Sequence, residues 1–224
     1  MPTKLLLLLL WITPFGALAT DEPTVLLIHS YHPQYPWTEK QSQGIKDILM
    51  TSIHAENLHI EYMDERRFVD DRVFNTKLIA LLKHKYQKYE PDIIITTDDH
   101  AFYFMVDYGE SLFPGKPIVF SGVNVFEPDT IIKRKNIIGI KEGIEIESNL
   151  ELILQVQPET KRIIMLSDTT GLGLHMTERA KEIKSHWQND PKSKQVTLEI
   201  WDRLSIDELL QKAANIETDT VFLF

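Results

Sequence analysis

The chain has 224 residues, 43% of them hydrophobic and 25% charged, enough to bury a substantial core in one large or two small domains. A net charge of −9 with no clustered lysines or arginines argues against nucleic acid as a partner. The absence of cysteine excludes disulfides, thiolate metal sites and cysteine nucleophiles.

The N-terminus reads as an export signal. Lys4 gives a positive start, residues 5–12 an apolar core, Pro14 and Gly16 a break, and Ala17-Leu18-Ala19 a small-x-small cleavage pattern. We expect a signal peptide over residues 1–19, because the apolar run is shorter than the ~20 residues that span a bilayer. The rest of the chain is expected to be exported, periplasmic or otherwise extracytoplasmic, and soluble.

Residues 25–28 (VLLI) are four consecutive apolar positions, as in a strand covered on both faces. They run into a loop rich in polar and aromatic side chains, His29, Ser30, Tyr31, His32, Tyr35 and Trp37, braced by Pro33 and Pro36. Thr38 and Gln41 have capping-box spacing for a helix with Ile45, Ile48, Leu49 and Ile53 as its inward stripe. Leu58, Ile60 and Tyr62 alternate with polar residues, which predicts an edge strand. Phe74, Leu78, Leu81, Leu82 and Tyr86 mark a second helix that stops before Pro91.

Residues 92–97 (DIIITT) predict a third strand ending at Asp98-Asp99-His100, before a helix over 101–108. Strands over 117–120 and 136–140 follow, the first ending in Ser121-Gly122-Val123-Asn124. Residues 24–140 therefore read as one doubly wound parallel unit. Residues 141–148 read as a hinge. Over residues 149–224 the alternation begins again: helix 149–156, strand 162–166, the cluster Asp168-Thr169-Thr170-Gly171, helix 176–187, strand 196–201, a capping box from Ser205 to Glu208, helix 209–215 and strand 220–224. A chain that stops inside an apolar strand reads as the N-terminal part of a longer protein, with a second lobe that is incomplete.

Four strand ends carry polar clusters, and in parallel sheets such ends share one edge, so they are expected to converge on a cleft between two lobes. The candidate ligand contacts are His29, Ser30, Tyr31, Tyr35, Trp37, Asp98, Asp99, Ser121, Gly122, Asn124, Asp168, Thr169 and Thr170. Asp98 offers a negative charge to a ligand ammonium, and helix N-termini offer amides to a carboxylate. Each has a plainer role as well. Asp99, Asp168 and Thr169 suit helix caps, Gly122 a tight turn, and the aromatic residues a lid over the core. His29, His32, Asp98 and His100 lack the spacing of a known metal motif, and no cofactor or metal is expected. No hydrolase, phosphate-loop or dinucleotide fingerprint occurs, so catalysis has little support; the remaining enzyme reading is a hydrolase using Asp98 with His100 or His29.

The stretches VLLIHSYHPQYPWT, PDIIITTDDHAF, KPIVFSGVN and RIIMLSDTTGLG, behind a signal peptide, resemble the ABC-transporter substrate-binding family with the type I periplasmic binding protein fold. Within it they resemble the extracytoplasmic sensor region of bacterial membrane sensor kinases or cyclic-dinucleotide signalling proteins. The resemblance implies two α/β lobes that close on a small molecule, an amino acid or other amine-bearing metabolite. It also implies a partner, either a membrane signalling domain of the same chain or an ABC permease.

Overall fold

The structure is a computed structural model and describes residues 22–69, 71–126, 128–131, 134–187, 189, 191, 193 and 195–224; the segment expected to be a signal peptide lies outside them. Strand β1 (Val25–His29) is buried at all positions, as its unbroken apolar run requires. It pairs in parallel with β2 (Leu58–Tyr62) on one side and β3 (Ile93–Thr97) on the other. Strands β4 (Ile118–Val123) and β5 (Ile137–Lys141) complete a five-stranded parallel sheet of order β2-β1-β3-β4-β5. The chain moves outward from β1 to β2, then returns past β1 to β3, so the point where strand order reverses lies between β1 and β3. That is where open α/β sheets form their crevice.

The connections are helices α1 (Pro36–Leu49), α2 (Arg72–Tyr86), α3 (Asp98–Leu112) and α4 (Pro128–Ile131), the last a single turn where the sequence suggested only a short link. Their apolar faces meet the sheet around Leu26, Ile28, Ile94, Phe102, Met105 and Ile118. Phe102 is fully buried at the centre, its ring 4.7 Å from that of Phe120.

Three expectations are corrected here. Helix α1 starts two residues before Thr38, at Pro36, with Tyr35 as a cap that makes no side-chain bond. Proline at the first helical position fixes φ and lacks an amide that would need a partner, so it sets the start in preference to a capping box. Thr38 therefore lies inside the helix, buried. Ile48 is 71% exposed and Leu81 is 50% exposed, outside the buried stripes assigned to them, whereas Ile53, Leu78, Leu82 and Tyr86 are buried. Helix α3 begins at Asp98 rather than Ala101, so the acidic pair belongs to its first turn.

Residues after the first sheet form helix α5 (Ile146–Val156), strand β6 (Arg162–Leu166), helix α6 (Gly171–Trp187), strand β7 (Thr197–Trp201), helix α7 (Ile206–Ala213) and strand β8 (Thr220–Leu223). The three strands are parallel in the order β7-β6-β8, the same out-and-return path as β2-β1-β3. A separate core of Leu150, Ile163, Met165, Ala180 and Leu198 lies beneath them. The capping box expected at Ser205 and Glu208 is present, and it opens α7. Helix α6 begins five residues earlier than its apolar spacing suggested.

Candidate functional site

At the carboxyl end of β1, His29 is wholly buried. Its Nδ1 lies 2.8 Å from Thr97 Oγ1, its ring stacks on Tyr62 at 5.2 Å, and its Nε2 has no partner among the described residues. Burial, reinforced by the Lys46 charge, pulls its pKa down to about 4, so the ring is neutral near pH 7. Ser30 is also buried. Its hydroxyl donates to the Thr97 carbonyl at 2.7 Å and accepts the Ala101 amide at 2.8 Å. These two residues thus tie β1 to β3 and to the first turn of α3, and they form the floor of the crevice.

The next residues stand above that floor. Tyr31 and Tyr35 meet edge to face at 5.1 Å, and the Arg66 guanidinium covers both, 4.6 Å from the Tyr35 ring and 5.8 Å from that of Tyr31. Burial, followed by the charges of Asp98, Glu65 and Asp99, pushes the Tyr31 phenol above its ordinary range and keeps it protonated. Trp37, in the first turn of α1, is 42% exposed. Its Nε1–H donates to Asp98 Oδ1 at 2.9 Å.

Asp98 is the centre of the arrangement. It is 4% exposed and has a left-handed backbone, φ +66°, a conformation that aspartate and asparagine tolerate better than most residues. Burial pushes its pKa up to about 6; the Trp37 bond opposes the shift, and Asp99 and Glu142 add to it. With its amide nitrogen turned toward Asp98, Gln41 donates to Oδ2 at 3.1 Å and accepts from Trp37 Nε1 at 3.2 Å. Gly122 completes the wall. Its φ is +70°, and a Cβ there would lie 2.8 Å from the end of the Gln41 amide and 3.3 Å from Asp98 Oδ1. Only glycine lets the end of β4, where the register shifts, come this close to the carboxylate.

Asp99 acts differently from the cap expected of it. The cap position of α3 is Thr97, whose hydroxyl faces His29 and makes no capping bond. Asp99 Oδ1 instead accepts the amides of Asn124 and Val125, at 3.1 and 3.0 Å, pinning the loop after β4 to the start of α3. Burial raises its pKa against those two amides. Ser121 lies level with Thr97 in the sheet and is half-buried. The structure thus gathers Trp37, Asp98 and Gly122 at one point, places Tyr31 in the field of Asp98 and Asp99, and brings Asn124 in through its main chain.

In the second sheet, Asp168 Oδ1 accepts both the Thr170 amide, at 3.0 Å, and the Thr170 hydroxyl, at 2.5 Å. Thr170 Oγ1 in turn accepts the Gly173 amide at 3.1 Å, so it is Thr170 that caps α6 and Asp168 that holds it. All three of Asp168, Thr169 and Thr170 are exposed. Asp168 and Thr170 border a cavity of about 380 Å³ whose apolar wall includes Leu166, Met176, Trp201 and Leu209. A smaller cavity, about 160 Å³, lies where the link after β5 meets α6; Asn124, Lys141 and Glu142 line one side, His175 and Arg179 the other.

Sequence reasoning missed Gln41, Glu142, His175 and Arg179. Gln41 was hidden by its capping-box spacing, and the α6 pair by lying on a helix face rather than at a strand end. The four side chains of metal-ligating type go to separate partners: His29 to Thr97, His32 to Asp64 at 3.7 Å, Asp98 to Trp37, and His100 to Glu65 at 3.1 Å. Among the described residues no three His, Asp or Glu side chains gather as metal ligands do.

No protein-family model matches this chain. No curated protein matches it either. Solved structures do. The ligand-free, open structure of a substrate binding protein with adhesive properties from Clostridium difficile is similar over 89% of this chain and 65% of its own, with a TM-score of 0.58 and 13% identity. The ABC domain in complex with L-Trp from Streptococcus pneumonia is similar over 85% and 60%, with a TM-score of 0.52 and 15% identity. A conserved domain protein from Vibrio cholerae O1 biovar eltor gives 85% and 60%, with a TM-score of 0.51 and 16% identity. This chain spans 60 to 65% of the length of these structures. Its parallel sheets flanked by helices, each starting from a central strand, are the fold of the periplasmic substrate-binding proteins.

Proposed function

We propose that this chain is the ligand-binding region of an exported two-lobed receptor that closes on a small amine-bearing metabolite and reports it to a membrane signalling domain. The observation that carries this reading is Asp98, a carboxylate at the reversal point of the sheet whose pKa is raised by burial and further by acidic neighbours, with an exposed indole beside it. A buried acid so placed gains most from a cation entering the crevice. Trp37 offers that cation, or the apolar body attached to it, a ring face. Closure would follow only if the ligand binds the closed form better than the open one.

The transporter reading, in which the same module hands its ligand to an ABC permease, is favoured by one observation: one similar structure is described as a substrate binding protein. The hydrolase reading is disfavoured by geometry. Asp98 and His100 are engaged by different partners, Trp37 and Glu65, and His29 is sealed beneath Ser30 and Thr97.

The test is a thermal-shift screen of amino acids and primary amines on the full chain and on Asp98→Asn. A hit is expected to stabilise the wild type and not the variant, and its affinity to fall about tenfold per pH unit below pH 6, as Asp98 takes up a proton. Equal stabilisation of both proteins would remove Asp98 from the site. Reading the frame beyond Phe224 separates the two binding roles: an apolar span of ~20 residues followed by a cytoplasmic domain supports the receptor, and a diffusible protein supports the transporter.

A further inference from the structure

On the outer side of α3, away from Trp37 and Gly122, the first lobe contains a second cavity of about 290 Å³. Its long wall is α3 itself. Asp99, Tyr103 and Asp107 follow one another at four-residue spacing and line it, so a carboxylate, a phenol ring and a second carboxylate lie along one face, with about 12 Å of helix rise between the two acids. The facing wall is the Phe68–Phe74 pair, stacked at 4.2 Å and nearly parallel. At the end near Asp99, Glu65 holds His100 at 3.1 Å.

The chemistry of this groove is unlike that of a closed core. Phe68 and Tyr108 remain 38% and 37% exposed although they border a cavity. Asp107, exposed at the far end, has no ion-pair partner among the described residues. Aromatic faces between two separated carboxylates are complementary to an apolar chain with a positive charge at each end. We infer that this groove is a second ligand site, specific for an elongated aliphatic diamine, with one ammonium at Asp107, the other at Asp99 and Glu65, and the methylene chain between Tyr103 and the two phenylalanines. It is independent of the crevice at Asp98.

Isothermal titration of the full chain with hexamethylenediamine, hexylamine and hexanediol tests this. The diamine is expected to bind about tenfold more tightly than the monoamine, and the diol not at all. Asp107→Asn, an exposed change that leaves the core untouched, is expected to weaken the diamine about fivefold and bring it near the monoamine. Phe68→Leu, which keeps apolar bulk and removes the ring, is expected to weaken both amines. In the Asp98→Asn background, which removes the crevice carboxylate, the diamine is expected to keep its preference over the monoamine. Binding of the diol as tight as that of the diamine, or insensitivity to Asp107→Asn, would overturn the inference. Loss of diamine binding in Asp98→Asn alone would also overturn it and assign the amine to the crevice, whereas a crevice with no ligand of its own would leave the groove result standing.

Discussion

The indole Nε1–H of Trp37 donates to Asp98 Oδ1 at 2.9 Å across sixty-one residues of sequence, locking the first turn of α1 to the first turn of α3. The bond fixes the polar end of the ring and leaves the side chain 42% exposed. Trp37→Phe is expected to retain the fold but lose the orientation of the ring. The expected outcome is a ligand affinity reduced about tenfold with a melting temperature within a few degrees of wild type, measured by calorimetry and thermal melts.

Asp98 and His29 give opposing pH dependences. Asp98 ionises near 6 in the folded chain against an ordinary 3.8, so between those values the folded state holds more protons than the unfolded one and stability falls as pH rises. His29 titrates near 4 against an ordinary 6.5, so the folded state holds fewer protons there and stability rises with pH. Over pH 4 to 6 the two slopes largely cancel. Asp98→Asn is expected to expose the histidine slope, losing on the order of 2 kcal/mol as pH drops from 6.5 to 4, while His29→Gln is expected to gain stability over the same fall. Melts at constant ionic strength read both signs.

Ser30→Ala separates floor from ligand contact. It removes a buried hydroxyl that serves the Thr97 carbonyl and the Ala101 amide together. A loss of about 1–3 kcal/mol in stability is expected from the Ala101 amide left unpaired and the Thr97 carbonyl left with the Ser30 amide alone. Ligand affinity, measured well below the melting temperature, is expected to stay within twofold; a large loss of affinity with normal stability would make Ser30 a direct contact.

Two glycines of the first sheet are expected to differ in cost when changed to alanine. At Gly122 the added methyl meets the end of the Gln41 side chain, which can swing away, so the penalty is chiefly the left-handed backbone, roughly 1–2 kcal/mol, with loss of ligand binding. At Gly139 a Cβ would lie 2.1 Å from the Phe120 carbonyl oxygen in the neighbouring strand, where nothing flexible can yield. Chemical denaturation is expected to rank Gly139→Ala well below Gly122→Ala, and below Phe102→Ala, whose loss of a buried ring costs about 3–5 kcal/mol.

The strands were the most legible part of the sequence, because a run such as VLLI or IIITT has no other way to bury itself on both sides. Helix starts were less legible. Thr38 and Gln41 had the spacing of a cap, but Pro36 had already set the backbone two residues earlier, and Gln41 became a partner of Asp98 and Trp37 instead. Asp99 looked like a cap for its own helix and serves a loop twenty-five residues away. Such pairings depend on which strand ends lie side by side, and no local pattern encodes that. Asp98 could be read as a charge at a strand end, but its left-handed backbone could not, since aspartate adopts that conformation only where its surroundings require it.

That backbone limits how the crevice can diversify. At φ +66° the side chains that fit with least strain are glycine, asparagine and aspartate. Relatives that keep this helix start therefore have three versions of the site open to them: a negative charge, a neutral amide of the same shape, or an empty space. A change of ligand from cation to uncharged polar molecule lies one substitution away and leaves the frame intact, whereas a basic side chain at this position, as an anionic ligand would require, means rebuilding the start of α3.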